Sequence, residues 1–266
     1  MHTTGFDGRD TVQDMVNRAR ELGFHTIGIS NHFIIHPVVK STKMYPYAVE
    51  GGYSSIYSAS LEEVLSRFIP HYEEISRVQK QNPDIQILRG MEADFFKGKK
   101  WRSDFQTAIK ILQPDYIIGS AHFIEYNGTL LNAYDLKNAD EQMQKILLEQ
   151  YWNNVAKAAA TGLFTWMAHL DLPKKVGLGF GDEYEAFEKK AIKAIAKSKT
   201  AIEINTSFYR DYCYEPYPSN RILKMARDNN VPVLISDDAH DAKSIGRHFD
   251  EAEQLIRDLN LKTLTR

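Results

Sequence analysis

Several features that define other classes of protein are missing from this sequence. It contains one cysteine, Cys213, so an internal disulfide is excluded. Its 33 lysines and arginines balance 35 acidic residues, which leaves no basic footprint for nucleic acid. No apolar run reaches the length of a membrane span, and the first residues have no apolar signal-peptide core. We therefore expect a cytoplasmic protein that binds neither nucleic acid nor a membrane.

The glycine-rich loops of nucleotide-binding folds are also missing, since neither G-x-G-x-x-G nor G-x-x-x-x-G-K occurs. What is present is a regular alternation of short apolar strands with amphipathic helices. This alternation predicts an α/β fold with right-handed crossovers and a parallel sheet. Because no linker rich in glycine, proline or serine divides the chain, we expect one domain over residues 1–266.

Short apolar runs predict six strands, most of which end in polar residues. These strands cover Thr26–Ser30, Ile85–Phe95, Tyr116–His122, Phe164–His169, Ala201–Asn205 and Val233–Ile235. Residues 33–60 are predicted to form a long irregular loop that either covers a site or is a surface excursion. Polar groups at the strand ends favour a closed barrel, with an open doubly wound sheet as the alternative.

Residue types that bind metals recur where the predicted strands end. Asp238 and His240 follow one buried strand, two positions apart, so both can point into one pocket. The other candidate ligands are His2, Asp7, His32, Glu92, His122 and His169. A single such histidine is more often a core or surface residue, but the recurrence along the chain predicts a site for zinc, iron or manganese. The acids that could orient ligand histidines, or else be solvated strand-end residues, are Asp94, Asp171 and Asp237.

As a set, these motifs resemble those of the PHP (polymerase and histidinol phosphatase) superfamily over nearly the whole chain. The matching segments are residues 2–8, 29–32, 90–94, 119–122, 168–169 and 236–240. Residues 203–207 and 215–219, together with the motif order, resemble the histidinol-phosphatase branch. The resemblance implies a single PHP domain, built as a distorted seven-stranded TIM-like β/α barrel, that holds three divalent ions of zinc, iron or manganese.

The resemblance also implies a role for each ligand. His2, Glu92 and Asp238 would hold a first ion, and Glu92 would bridge to a second ion shared with His122 and His169. The third ion would be held by Asp7, His32 and His240. Catalytic roles are expected for Glu92, Asp238 and His240. Substrate contacts are expected from Arg210, Lys174 and His36, although Arg210 could equally be a surface residue paired with an acid.

Two positions depart from the family pattern. The family begins with a strand that ends in His-x-His, whereas Met1 stands here at the middle position. We therefore expect the native chain to start upstream and to supply the missing first strand and its histidine. Asn31 stands where the family often has an acid before the histidine, and we expect a weaker hydrogen bond to His32 as a result.

The expected reaction is hydrolysis of a phosphomonoester by metal-activated hydroxide. The resemblance implies L-histidinol phosphate, a small-molecule substrate from histidine biosynthesis. The alternatives are another small phosphoester such as a nucleotide, a non-catalytic metal-binding module, or a carbon–nitrogen hydrolase. The last would need a lysine bridging two metals, and Glu92 occupies that role. The sequence indicates neither the metal nor the oligomeric state.

Overall fold

The computed structural model describes residues 1–179, 181–208 and 215–264. The helices are α1 (Val12–Glu21), α2 (Tyr45–Glu50), α3 (Leu61–Gln81), α4 (Lys99–Leu112), α5 (Glu141–Ala160), α6 (Glu185–Ser198), α7 (Asn220–Asp228) and α8 (Phe249–Leu259). The strands are β1 (Thr26–Ile29), β2 (His32–Ile35), β3 (Tyr57–Ser58), β4 (Gln86–Asp94), β5 (Tyr116–Ser120), β6 (Phe123–Tyr126), β7 (Thr129–Asn132), β8 (Trp166–Met167), β9 (Ala201–Asn205) and β10 (Val233–Ser236). The predicted α/β alternation is confirmed.

The chain divides into two compact units. Unit 1 comprises Met1–Ile118 and Asp238–Gly246, and unit 2 comprises Gly119–Asp237 and Arg247–Arg266. Strand β5 crosses from one unit to the other, so its first three residues belong to unit 1. The single domain over residues 1–266 stays a prediction.

Strand β4 organises unit 1. Strand β1 pairs in parallel with its first half, with Ile29 opposite Arg89. Strand β2 pairs in parallel with its second half, with His32 opposite Glu92. Strand β1 ends at Ile29, so His32 follows the end of a strand as predicted. The prediction missed that His32 also begins a second strand, β2.

The prediction of a long irregular loop over residues 33–60 was wrong. This segment contains most of β2, all of α2 and the two-residue β3, which pairs in parallel with β2. Phe33, Ile34 and Ile35 are buried. These elements are too short to show a period in the sequence, and contacts with the rest of unit 1 hold them in place.

Unit 2 contains β8, β9 and β10, which pair in parallel in that order. It also contains an antiparallel hairpin of β6 and β7 that the sequence interpretation missed. Asn127 and Gly128 form its turn with φ values of 46° and 75°. An Asn-Gly pair with both residues at positive φ is a strong short-range hairpin signal, and it could have predicted this element. No helix of the described residues has the length and apolarity needed to cross a membrane.

Candidate metal centre

Residues 2–8 form a tight loop that presents His2 and Asp7. The carbonyl of Thr3 accepts hydrogen bonds from the N–H groups of Phe6 (3.3 Å) and Gly8 (3.2 Å). A Cβ atom at Gly8 would overlap the backbone of His2 and Thr3, so the loop requires glycine at this position. The N–H of His2 donates to the carbonyl of Ala239 at 2.8 Å, which places the loop beside the segment after β10.

Two ligand candidates lie in that segment. Asp238 adopts a φ of 49°, a left-handed conformation that is unfavourable for a residue with a side chain. Nδ1 of His240 lies 2.9 Å from the carbonyl oxygen of Asp238. Because a carbonyl only accepts, this bond assigns the proton to Nδ1 and leaves Nε2 available to a metal.

His32 and Glu92 are brought together by the register of β2 on β4. Oε2 of Glu92 lies 3.3 Å from Nδ1 of His32 and 3.3 Å from Nε2 of His2. Glu92 is 3% exposed, so its carboxylate sits in a site that excludes most water. Burying a carboxylate is unfavourable unless cations or donors surround it, and here two imidazoles do so.

Four further nitrogen–oxygen distances link His2, Asp7, His32, Asp238 and His240. His2 Nε2 lies 3.1 Å from Asp238 Oδ1, and His2 Nδ1 lies 3.4 Å from Asp7 Oδ1. Oδ2 of Asp7 lies 3.2 Å from His32 Nε2 and 3.1 Å from His240 Nε2. Two ligand atoms on one tetrahedral zinc, with bonds of about 2.0–2.1 Å, stand roughly 3.3 Å apart. The distances from His2 to Asp238 and from Asp7 to His32 and His240 are therefore close to those of atoms that share a metal.

The imidazoles of unit 1 favour the ionised forms of Asp7 and Asp238. Burial alone would raise the pKa of Asp7, but His32 and His2 lower that pKa well below its ordinary value. The pKa of Asp238 is likewise lowered: burial opposes the shift, and His2 and His240 outweigh it. Burial would lower the pKa of His2, yet Asp7, Asp238 and Glu92 raise it well above 6.5. A divalent cation would compensate the same negative charge.

The donor set fits such a cation. One group in which all ligand atoms lie within 4.8 Å of one another is His2, Asp7, His32 and His240, and a second is His2, Glu92 and Asp238. Among the described residues, His2 Nδ1 and Asp7 Oδ1 are buried without a hydrogen-bond partner. Buried polar atoms are normally satisfied, so these two atoms indicate a missing partner. Unit 1 thus brings together six of the eight predicted ligands.

The other two ligand candidates lie in unit 2. The ring centroids of His122 and His169 are 4.8 Å apart. Sequence reasoning assigned no site role to Glu203, which is 2% exposed and contacts one of the two histidines. Its Oε1 accepts hydrogen bonds from the His169 N–H at 3.0 Å and from Asn205 Nδ2 at 2.8 Å. A carboxylate between the apolar residues Ile202 and Ile204 of a strand was the available signal.

The candidate substrate contacts are placed as follows. Lys174 is 4% exposed, and its Nζ donates to the carbonyl of Pro216 at 2.6 Å and pairs with Asp171 at 3.2 Å. His36 is half-buried against Phe96, with ring centroids 4.7 Å apart. Arg210 lies outside the described residues. All three substrate roles remain predictions.

The acids predicted to orient ligands are all buried. Asp94 is 1% exposed, Asp237 4% and Asp171 6%. Asp171 accepts a hydrogen bond from the Ser219 N–H at 2.8 Å, in addition to its ion pair with Lys174. The alternative of a solvated strand-end acid does not fit their burial, while their action on ligand histidines stays a prediction.

Comparison with known proteins agrees with this geometry. The PHP domain family model matches residues 1–207. A probable histidinol-phosphatase of Deinococcus radiodurans is 29% identical over 210 residues, which cover 79% of each chain. The histidinol-phosphatase of Bacillus subtilis is 22% identical over 91% of both chains.

A solved structure shares the fold. It is a histidinol phosphate phosphatase from Lactococcus lactis, complexed with zinc, L-histidinol and phosphate. The TM-score is 0.75 at 18% identity, and the match covers 99% of this chain and 93% of that one. The predicted fold class is confirmed, and with a family model matched over residues 1–207 the chain belongs to the PHP domain family.

Proposed function

We propose that this protein is a metal-dependent phosphomonoesterase that hydrolyses L-histidinol phosphate to L-histidinol and phosphate. The observation that carries the proposal is the buried cluster of unit 1, whose nitrogen and oxygen atoms stand 3.1–3.4 Å apart. The histidinol-phosphatase names of relatives in Deinococcus and Bacillus support the substrate. The solved relative that holds L-histidinol and phosphate supports it as well.

The chain's own residues supply the ligands. We infer that His2, Glu92 and Asp238 hold one divalent ion and that Asp7, His32 and His240 hold another. The proposal keeps His122 and His169 as ligands, on the family resemblance alone, and with them a complement of three ions. Zinc, iron and manganese all suit such mixed donors. Bound divalent ions supply Lewis acidity and lower the pKa of a coordinated water toward about 7.

Glu92, Asp238 and His240 have the proposed catalytic roles. The carboxylates of Glu92 and Asp238 would offset part of the charge of the ions while leaving the pocket positive enough for a phosphate dianion. The side chain of His240 is 36% exposed, more than that of any other ligand candidate in unit 1, so it is the one best placed to meet an incoming phosphate. Its Nδ1 bond to the Asp238 carbonyl keeps Nε2 directed at the site.

The remaining assignments are extensions of the same proposal. Lys174, His36 and Arg210 would contact the substrate, and alanine variants would then raise KM more than they lower kcat. The reaction would take place in the cytoplasm as a step of histidine biosynthesis.

The deciding experiment measures phosphate release from L-histidinol phosphate by the zinc-loaded protein and by Glu92→Ala. Loss of an outer partner of a metal ligand typically costs about 10- to 100-fold, so loss of this ligand should cost at least about 100-fold. Glu149→Ala is the matched control, because Glu149 is exposed on α5 in unit 2. Turnover that survives Glu92→Ala would contradict the metal role. Bound zinc with no turnover would contradict the substrate, and nucleotides would be the next phosphoesters assayed.

A further inference from the structure

Asn31 departs from the family pattern, and both polar atoms of its side chain have hydrogen-bond partners. It is 0% exposed. Its Oδ1 accepts a hydrogen bond from the Thr3 N–H at 2.8 Å, and its Nδ2 donates to Thr3 Oγ1 at 3.0 Å. Nδ2 also lies 2.8 Å from Nε2 of His71 on α3. One acceptor atom and two amide hydrogens therefore all have partners, none of which is the imidazole of His32.

The direction of each bond follows from what the partners can do. The backbone N–H of Thr3 can only donate, so the oxygen of the amide must face it. The amide nitrogen then faces His71, and because an NH₂ group only donates, Nε2 of His71 must accept. The ring proton of His71 is thereby assigned to Nδ1, which faces Oε2 of Glu74 at 3.6 Å.

This chain of contacts ends next to a metal ligand. Thr3 follows His2 and anchors the loop of residues 2–8 through its carbonyl group. The same loop touches α3 a second time, since the ring of Phe6 packs edge-on against His71 at 5.1 Å and against Phe68 at 5.2 Å. His71 thus contacts the loop both directly and through Asn31.

We propose that Asn31 and His71 are positioning residues for His2: His71 fixes the amide of Asn31, and the amide fixes Thr3 and with it the neighbouring ligand. This inference rests on the proposed role of His2 as a metal ligand. It assigns to His71 a function that helical periodicity alone does not indicate, since His71 lies on the buried face of α3 with Phe68, Tyr72 and Ile75.

The amide at position 31 matches this arrangement better than an acid would. An aspartate could still accept from Thr3, but its second oxygen would meet Nε2 of His71, which also accepts. Relieving that conflict requires a proton on Nε2, either moved from Nδ1, which then faces the Glu74 carboxylate as an acceptor, or added to the ring. An aspartate would also add negative charge behind the carboxylates of Asp7, Glu92 and Asp238.

The first test compares zinc affinity, measured by competition with a chelator, for the intact protein and three variants. His71→Phe removes the acceptor and should weaken zinc binding about 10-fold, as expected for an outer partner of a ligand. His71→Gln presents an oxygen near the position of Nε2 and should retain affinity within about threefold of the intact protein. His25→Phe is the matched control, because His25 is an exposed histidine of the same unit. Unchanged affinity in His71→Phe, or equal losses in His71→Phe and His71→Gln, would overturn the proposal.

The second test determines the tautomer of His71 from two-bond ¹H–¹⁵N spectra of the zinc-loaded protein, with His71→Gln used to assign its signals. We expect the Nδ1–H tautomer, and a shift to Nε2–H in Asn31→Asp. An Nε2–H tautomer in the intact protein would reverse the network and refute it. If the intact protein bound no zinc, the proposed function would fail, while the tautomer would still report on the network.

Discussion

Asp238 combines an unfavourable backbone conformation with a proposed role as a metal ligand. Its φ of 49° costs a residue with a side chain roughly 1–2 kcal/mol relative to glycine. The carboxylate lies 3.1 Å from His2 and close to other acids of the cluster. Folding stability therefore favours glycine at position 238, whereas metal binding would require a carboxylate there.

We expect Asp238→Gly to raise the free energy of unfolding of the metal-free protein by about 1 kcal/mol, because it removes the backbone strain. The same change should lower phosphate release at least about 100-fold, because it removes a ligand. Urea unfolding in the presence of a chelator and a phosphate-release assay measure the two effects. Asn127→Gly, with a φ of 46° in the β6–β7 turn, is the control and should leave activity unchanged. If Asp238→Gly instead lowered the free energy of unfolding, the lost contacts of the carboxylate would outweigh the relieved backbone strain.

Glu188 is a buried acid away from the ligand cluster. It is 0% exposed; one oxygen accepts a hydrogen bond from Arg221 at 2.6 Å, and the other has no partner among the described residues. Burial raises the pKa of Glu188 from 4.5 to about 7, and Arg221 only partly opposes that shift. Between these two pH values the folded protein holds a proton that the unfolded chain has released.

Stability should therefore fall as the pH rises from 4.5 to 7, by roughly 3 kcal/mol from this group, at about 1.4 kcal/mol for each pKa unit. Glu188→Gln should remove that part of the pH dependence, because its side chain does not titrate. Urea unfolding of both proteins across this pH range provides the measurement. Parallel stability curves would mean that Glu188 is already ionised in the folded state below pH 7.

At the scale of elements, close packing of β1 and β4 depends on Tyr116 at the start of β5. A Cβ atom added at Gly28 on β1 or at Gly90 on β4 would overlap the Tyr116 side chain. The ring thus occupies the space left by two missing side chains. Since β4 also carries Glu92, this packing fixes the strand that presents a ligand.

Gly90→Ala should lower the free energy of unfolding by about 1–3 kcal/mol, the usual cost of adding a carbon to a packed interior. Tyr116→Leu in the same protein should recover part of that loss, because the smaller side chain vacates the space. A double-mutant cycle measured by urea unfolding gives the coupling energy. Additive effects of the two changes would rule out the direct contact.

Helices and strands with a clear hydrophobic period could be predicted from the sequence. A two-residue strand outside any predicted strand could not. Helix α1 buries Val12, Met15, Val16 and Ala19, all of them at the helical spacing seen in the sequence. By contrast, β3 has two residues and lies in no predicted strand, whereas β8, which is equally short, lies inside the predicted strand Phe164–His169.

The candidate ligands could be selected from the sequence because imidazole and carboxylate groups recur near predicted strand ends. Six of the eight lie together in unit 1. The hydrogen bonds of the residues packed behind these candidates could not be predicted. Asn31 meets His71 across 40 positions of sequence, and no local pattern encodes that contact.

At the scale of the whole molecule, the metal should contribute to folding as well as to chemistry. The ligand atoms of unit 1 come from segments far apart in the sequence, and an unfolded chain cannot present them together. A ligand that binds only the folded state stabilises it by about 2.7 kcal/mol at a concentration 100 times its Kd.

We expect a chelator to lower the Tm of the protein and added zinc to restore it. In His2→Ala the zinc-dependent shift should be much smaller, because His2 belongs to both ligand groups of unit 1. Differential scanning calorimetry at several zinc concentrations tests this dependence. A Tm that is independent of zinc in the intact protein would contradict a metal centre in unit 1.

The pairing of Asp7 with His240 has a consequence for how the protein folds during translation. The two residues are 233 positions apart, yet they hold atoms 3.1 Å from each other. On the ribosome, Asp7 must wait for 233 further residues before its partner is translated. Contacts of such long range close slowly, because a large loop must be ordered before they form. Metal capture by this pair should therefore follow translation of His240, and nascent chains that end before it should carry an incomplete set of candidate ligands.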